Sequence, residues 1–429
     1  MQQSVHDHLV SLRRDLHRHP EPAWREFYTT SRIVDELERI GVDQLYVGKD
    51  ALGTEHGDLR LAVPDDAVLE EWFEQARADG ARADVLEQTR GGYTGAVAVL
   101  EKGEGPTVAL RVDIDALPQP ESTADDHFPA AEGFRPPHDN AMHACGHDAH
   151  ITFGIGVLER VKESDFSGTF KVFFQPAEEV IGGGKPMAKS GHLDDVDYLL
   201  GVHVGLDHPT GEVVAGIDGF LAVNHFNVEF TGLPAHAGAA PNEGKNAVQA
   251  LAAAIQNCYA IPRHRDGDTR VNCGVVGGGT AANIIPESAF MHVEVRGKTT
   301  ELMDYMKEKA VRVIESSADM YDCTVEFEEI GEAPSATSDQ SLVDIVKRVS
   351  EGSKFVTSTV ERDDLGGSED ATFLMQEVQQ HGGDAAYICI GTSHPTGHHT
   401  ATFDVEEKSI DVAVDVLSNS ILEIAARRP

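Results

Sequence analysis

The sequence predicts an α/β protein, a domain with a central, mostly parallel sheet that is interrupted by a small βαββαβ domain of ferredoxin-like order. Three observations predict this. Between residues 107 and 204, apolar β-rich runs alternate with helix-period patterns, as in a sheet whose strands are joined by helices. Near Gly219 the pattern changes to strands that alternate apolar and polar residues. Past Ala333-Pro334-Ser335 the first character returns. The organisation expected is a discontinuous domain of residues 1–218 and 334–429 with an insert at 219–333.

The elements follow in order. Met1–Arg14 reads as the start of an amphipathic helix with Val5, Leu9, Leu12 and Leu16 on one face, and Ile33, Leu37 and Ile40 mark a second. Residues 49–93 are polar and acidic, with a helix at Leu69–Ala78 ended by Gly80, and read as an excursion. Strands are expected at Thr107–Val112, Thr169–Phe174 and Tyr198–Val204, with a helix from about Ala149. In the insert, strands at Asn224–Phe230, Val271–Val276, Ala289–Arg296 and Thr324–Ile330 enclose a helix bearing Val248, Leu251 and Ile255 and another over Thr300–Met320. This is the split βαβ order. Helices near Ser341–Ser350 and Ile410–Ala426 and a strand at Ala386–Gly391 complete the first domain.

Composition bounds the function. The 429 residues carry 72 acidic and 35 basic side chains, a formal net charge of −37, with 41% apolar residues. The apolar share excludes a disordered acidic chain. The charge argues against nucleic acid or an anionic membrane surface as partner. So large an acidic excess fits a halophilic source, where salt screens it. No run approaches the roughly 18 apolar residues of a membrane span, and Met1–Arg14 lacks the apolar core of a signal peptide. Five sparse cysteines indicate a reducing cytoplasm, with Cys258 and Cys273 on core faces. Only Cys145 sits among other candidate ligands.

The chemistry concentrates at strand ends. Cys145 and His147, two apart on a turn that opens a helix, can face one ion, and thiolate plus imidazole suits Zn²⁺ or a similar metal. His143 competes as a ligand but faces away if the turn leads straight into the helix. Asp113 and Asp115, Glu178 and Glu179, and His203 each lie at the end of an expected strand, where ligands bind in open α/β sheets. Adjacent Glu178 and Glu179 point in different directions, so one carboxylate can hold metal while the other acts as general base on water. Gly397-His398-His399-Thr400 follows the last strand, and spacing does not decide between its two histidines. Gly277-Gly278-Gly279 reads as a tight turn, and no Gly-x-Ser-x-Gly elbow is present.

Five segments in order resemble the aminoacylase/carboxypeptidase amidohydrolases, dinuclear metallohydrolases of N-acyl amino acids. They are Leu12-Arg13-Arg14-Asp15-Leu16-His17-Arg18-His19-Pro20-Glu21, Arg111-Val112-Asp113-Ile114-Asp115-Ala116-Leu117-Pro118, the Cys145-Gly146-His147 turn, Gln175-Pro176-Ala177-Glu178-Glu179 and the closing histidines. The acidic insertion ending Trp72–Arg77 and the Gly91–Gly95 turn are similar to the branch that acts on aminobenzoyl-glutamate. The resemblance implies a zinc-peptidase-like catalytic domain and a ferredoxin-like lid through which a homodimer forms, with a second, different chain in the complex a further option. It implies two divalent ions, Mn²⁺ or Zn²⁺, held by Cys145, His147, Glu179, His203 and His399. His399 is chosen because the ligand precedes a Phe by four residues, here Phe403; Thr400-Ala401 departs from the commoner Ser-Pro. It further implies Glu178 as general base, Asp115 behind a ligand, His236 stabilising the oxyanion of a neighbouring protomer's site, and Asn283 and Arg296 on the substrate carboxylate. Gly367-Ser368-Glu369-Asp370 resembles a cleft-lining loop. The activity implied is metal-dependent hydrolysis of N-acyl or N-aroyl amino acids. The alternatives are a general deacylase, a dipeptidase or a non-catalytic binding component of a heteromeric complex.

Overall fold

A computed structural model describes residues 3–54, 57–394 and 396–426. The first two residues of the helix expected from Met1 lie outside the described residues. Two compact units are present: Met1–Asp218 with Ala336–Leu365 and Asp370–Pro429, and Gly219–Ser335 with Gly366–Glu369.

In the first unit, helix α1 (Gln3–Arg18) buries Leu9, Leu12 and Leu16. Helix α2 (Phe27–Ile40) starts where the Glu21 carboxylate accepts the free amides of Tyr28 and Thr29 at 2.9 and 2.8 Å. Strand β1 (Gln44–Val47) follows. Residues 49–93, read from sequence as an excursion with one helix, hold that helix as α3 (Asp66–Ala78) and a second, α4 (Ala83–Thr89), packed with it. Leu69, Phe73, Ala76, Val85 and Leu86 are buried, and Phe73 meets Phe27 edge-on with ring centres 5.6 Å apart. The few apolar residues there fall at helical spacing, so a narrow stripe suffices to dock an acidic segment.

Strands β2 (Ala96–Glu101) and β3 (Thr107–Asp113), the short α5 (Phe128–Ala131), helix α6 (His147–Glu163), β4 (Thr169–Gln175), α7 (Gly184–Ala188), β5 (Tyr198–Val204) and β6 (Glu212–Asp218) come next. The second unit contributes β7 (Ala222–Thr231), α8 (Ala247–Tyr259), β8 (Thr269–Gly278), β9 (Ser288–Gly297), α9 (Thr300–Asp319) and β10 (Thr324–Ala333). The chain closes with α10 (Gln340–Gly352), β11 (Ser358–Asp364), α11 (Ala371–Gln380), β12 (Asp384–Ile390) and α12 (Lys408–Ala426).

The first unit's sheet has the order β1-β2-β4-β3-β5-β12-β6-β11. Its centre, β4-β3-β5-β12, is parallel, while β1, β2 and the β12–β6 pair are antiparallel. The four central strands are buried along almost their whole length and mostly apolar, as strands covered on both faces are. Helix α6 packs on β3 and against α1 and α12. The parallel centre brings the carboxyl ends of four strands to one edge, which is where the site lies. The second unit is a four-stranded antiparallel sheet, β10-β7-β9-β8, with α8 and α9 packed against it. Both helices begin at a side-chain cap, Asn246 and Thr299. Cys258 is buried in this unit and Cys273 is partly exposed. No described helix is long and apolar enough to cross a membrane.

Candidate metal centre

The strand ends converge on a compact set of donors. The Sγ of Cys145, the Nε2 of His203 and a nitrogen of His147 lie within 4.8 Å of one another, as do donors of Cys145, Glu179 and His399. Cys145 is thus common to two donor groups. Its sulfur is 3.4 Å from His203 Nε2, and His399 Nε2 is 3.4 Å from Glu179 Oε2. His147 Nε2 lies 3.8 Å from Glu179 Oε1 and 3.9 Å from Glu178 Oε2.

Local structure explains the convergence. Gly146 caps α6 with φ +88°, and a Cβ there would lie 2.4 Å from a methyl of Val204. Glycine therefore lets the Cys145–His147 turn press directly on the end of β5, which carries His203. After β4, Ala177 and Ile181 take φ +55° and +48°, sharp reversals that display Glu178 and Glu179 between them.

Hydrogen bonds engage some ring nitrogens and leave others facing the donor groups, which separates candidate ligands from supports. His147 Nδ1 bonds Asp115 Oδ1 at 3.2 Å, which leaves Nε2 as the nitrogen turned towards Glu178 and Glu179, where a bound cation would take the place of its proton. His203 Nδ1 donates to the carbonyl of Val204 at 2.8 Å, so its Nε2 carries a lone pair, turned towards Cys145. His150 also sits near Asp113 and His147, but its Nε2 accepts the Val204 amide at 2.8 Å and its Nδ1 donates to Asp113. With both nitrogens engaged, His150 is a support. His398 Nε2 bonds the Val204 carbonyl at 3.0 Å and stands outside the donor groups, while His399, at φ +62°, faces Glu179. His143 is buried and outside these groups.

The electrostatics call for a cation. Burial drives His203 well below the usual imidazole range, so it is neutral and able to ligate. Burial also pushes the Glu179 carboxyl up to about 8. Burial opposes protonation of His147, yet Asp113, Asp115 and Glu179 outweigh it and lift that pKa to about 10. His147 Nε2 and Glu179 Oε1 are buried without a hydrogen-bond partner, an arrangement that costs about 1–3 kcal/mol per group if nothing binds there. One thiol, three imidazoles and a carboxylate, with two buried atoms left unpaired, fit a borderline divalent metal.

Several supports escape sequence reasoning. Arg111, fully buried, binds Gln175 Oε1 and Asp113 Oδ2, each at 2.8 Å. Asp370, expected to line a cleft, is fully buried and accepts from Gln175 and from the amides of Gly183 and Gly184. Glu26 accepts the Ala177 amide. Asp148, beside His147, is held by Arg13 at 2.8 Å and His17 at 2.9 Å; His17 also bonds Glu121 at 3.0 Å. Apart from the Arg111–Asp113 pair, two positions apart on one strand, each partner lies far away in sequence and gives no local signal.

Three residues assigned by resemblance sit in the second unit. Arg296 is in a two-pronged pair with Glu294, at 2.8 and 2.9 Å. Asn283 is exposed, and its backbone carbonyl accepts the amide of Ala237. His236 is exposed, and its Nδ1 accepts the amides of Gly238 and Ala239 at 3.1 Å, so the ring proton is on Nε2 and available to an acceptor.

The His17 cluster gives a pH test. Burial opposes its charge, but Asp148 and Glu121 hold its pKa at about 9, against an ordinary 6.5. A raised folded pKa means the added stability is fully present below pH 6.5 and lost as pH rises through 9. Urea unfolding at pH 6 and pH 9.5 is expected to show a drop of at most roughly 3 kcal/mol that a His17→Asn variant lacks. An equal drop in both proteins would contradict the assignment.

The profile of peptidase family M20/M25/M40 matches residues 109–423. The indole-3-acetyl-aspartic acid hydrolase of Enterobacter agglomerans is 40% identical over 424 residues, 98% of this chain and 96% of its own. One of the named subunits of the p-aminobenzoyl-glutamate hydrolase of Escherichia coli (strain K12) is 39% identical over 418 residues, 96% of this chain and 95% of its own. The crystal structure of the aminobenzoyl-glutamate utilization protein from Klebsiella pneumoniae matches with a TM-score of 0.85 at 34% identity, covering 100% of this chain and 98% of that one. With a profile match over most of the chain and relatives near 40% identity along almost all of it, this chain belongs to peptidase family M20/M25/M40.

Proposed function

We propose that the protein hydrolyses the amide bond of N-acyl and N-aroyl amino acids, aminobenzoyl-glutamate-like compounds first among them, using two divalent ions, Mn²⁺ or Zn²⁺. The observation that carries this reading is the pair of donor groups sharing Cys145, with the Glu178 carboxylate beside them. The names of the relatives add the substrate class: indole-3-acetyl-aspartate and aminobenzoyl-glutamate are both aromatic acids joined by an amide to an acidic amino acid.

Cys145, His147, Glu179, His203 and His399 hold the ions in this reading. When bound, such ions polarise the amide carbonyl and make water acidic enough to lose a proton near neutrality. Glu178 takes the proton of the attacking water and returns it to the leaving amine. Asp115 fixes the His147 ring and, through the Glu179 amide at 3.0 Å, the ligand next to the base. His236, with its proton on Nε2, donates to the developing oxyanion in a neighbouring protomer. That role makes a homodimer formed through the second unit part of the catalyst. Asn283 and Arg296 hold the substrate carboxylate, and Arg296 exchanges part of its pairing with Glu294 for that contact.

A panel tests the reading. The purified chain, loaded with Mn²⁺ or Zn²⁺, is assayed on aminobenzoyl-glutamate, indole-3-acetyl-aspartate, N-acetyl amino acids and dipeptides. Aroyl amino acids are expected to be cleaved, and amidation of the α-carboxylate to cost at least about tenfold in kcat/KM, the loss of one charged contact. Preference for dipeptides would make the protein a dipeptidase. Failure on every amide would favour a binding role. Because one relative is named as a subunit of a hydrolase and another as a homolog of that subunit, a second chain is a further variable, and cleavage only in its presence would make the enzyme heteromeric.

A further inference from the structure

The turn carrying Glu178 is held by a buried carboxylate with no part in the chemistry above. Ala177, directly before Glu178, has φ +55°. That region is strained for a residue with a Cβ and persists only where the surroundings enforce it. The Ala177 carbonyl accepts the amides of Gly182 and Gly183 within the turn, and its amide is fixed from 151 positions away, donating to Glu26 Oε1 at 2.9 Å. The other oxygen, Oε2, accepts the Thr94 hydroxyl at 2.6 Å. Glu26 has no solvent exposure. Its backbone is fixed as well, because its carbonyl accepts the Thr30 hydroxyl at 2.6 Å and that hydroxyl accepts the Gly95 amide at 3.1 Å. Two residues past Ala177, the Glu179 amide is taken by Asp115. Alternate amides of one turn are thus held by two carboxylates, Glu26 on the side of Glu178 and Asp115 on the side of Glu179.

We infer that Glu26 is a positioning residue for Glu178: by capturing the Ala177 amide it keeps the left-handed turn that presents the Glu178 carboxylate beside His147. The inference rests on the hydrolase reading for its catalytic consequence only. Because Asp115 holds the Glu179 amide by a hydrogen bond of its own, loss of Glu26 costs catalysis and spares the ions.

The test compares kcat, KM, bound metal and hydrogen exchange of the peptide containing Ala177. E26A is expected to lose about thirtyfold in kcat, to keep KM within about threefold and two ions per chain, and to exchange the Ala177 amide at least tenfold faster. E26Q, which retains an acceptor oxygen, is expected to lose only about threefold. E26A/A177G is expected to recover at least fivefold over E26A, because glycine takes this φ without a Cβ. If E26A does not fold, T94V serves instead, with an expected threefold loss of kcat at unchanged metal content. Wild-type kcat in E26A (or in T94V, should E26A not fold) overturns the inference, as does loss of an ion or no recovery with A177G. Unchanged exchange at Ala177 in E26A overturns it whatever the activity. Failure of the wild type on every amide sinks the hydrolase reading and leaves the exchange result to judge the turn.

Discussion

Glu178→Gln is expected to lower kcat about a thousandfold while leaving the metal content at two ions per chain. The side chain is nearly isosteric and its backbone position is set by the turn after β4, so the donors around Cys145 stay in place. What is lost is the basic oxygen that takes a proton from water and returns it to the amine, a contribution of typically 10²–10⁴-fold. Since that loss falls on the transition state, kcat and kcat/KM should fall together with KM little changed. Metal analysis and steady-state kinetics on the same preparation check this. A variant within tenfold of wild type would remove Glu178 from the mechanism.

Cys145→Ala is expected to have the larger structural effect on the site. Its sulfur belongs to both donor groups, so its removal weakens both positions at once, whereas loss of His399 touches only the group with Glu179. Affinity for both ions is expected to fall a hundredfold or more, with hydrolysis lost at micromolar metal. Cobalt substitution reads it directly, because a thiolate ligand gives a near-ultraviolet charge-transfer band that the variant should lack. The same band intact in Cys145→Ala would mean that the thiolate comes from elsewhere.

Much of this site can be read from one sequence because strand ends announce themselves. The apolar runs at Thr107–Asp113, Thr169–Gln175 and Tyr198–Val204 each stop within three residues of an acid or imidazole, and the parallel register brings those stops together. The choice between His398 and His399 is not in the spacing. It rests on backbone conformation, with His398 spent on the Val204 carbonyl. Supports are invisible for a related reason: Glu26 meets Ala177, and His17 meets Asp148, across 151 and 131 positions, and single buried acids carry no local pattern. Strand β11 escapes a sequence reading because its residues, Ser-Thr-Val-Glu-Arg-Asp-Asp, lie at the sheet edge and are too charged for an apolar pattern. Helix α3 is legible in outline, but α4 and the docking of both escape the reading because acidic residues outnumber the buried stripe that docks them.

The most direct test of a metal-dependent amide hydrolase built on these residues is a metal titration of the metal-free protein. Mn²⁺ or Zn²⁺ is added stepwise while aminobenzoyl-glutamate cleavage is followed. Cleavage is expected to be absent without metal, to appear on titration and to reach its plateau at two ions per chain. Undiminished cleavage in the metal-free protein, or two bound ions with no cleavage of any N-acyl amino acid, would contradict the account.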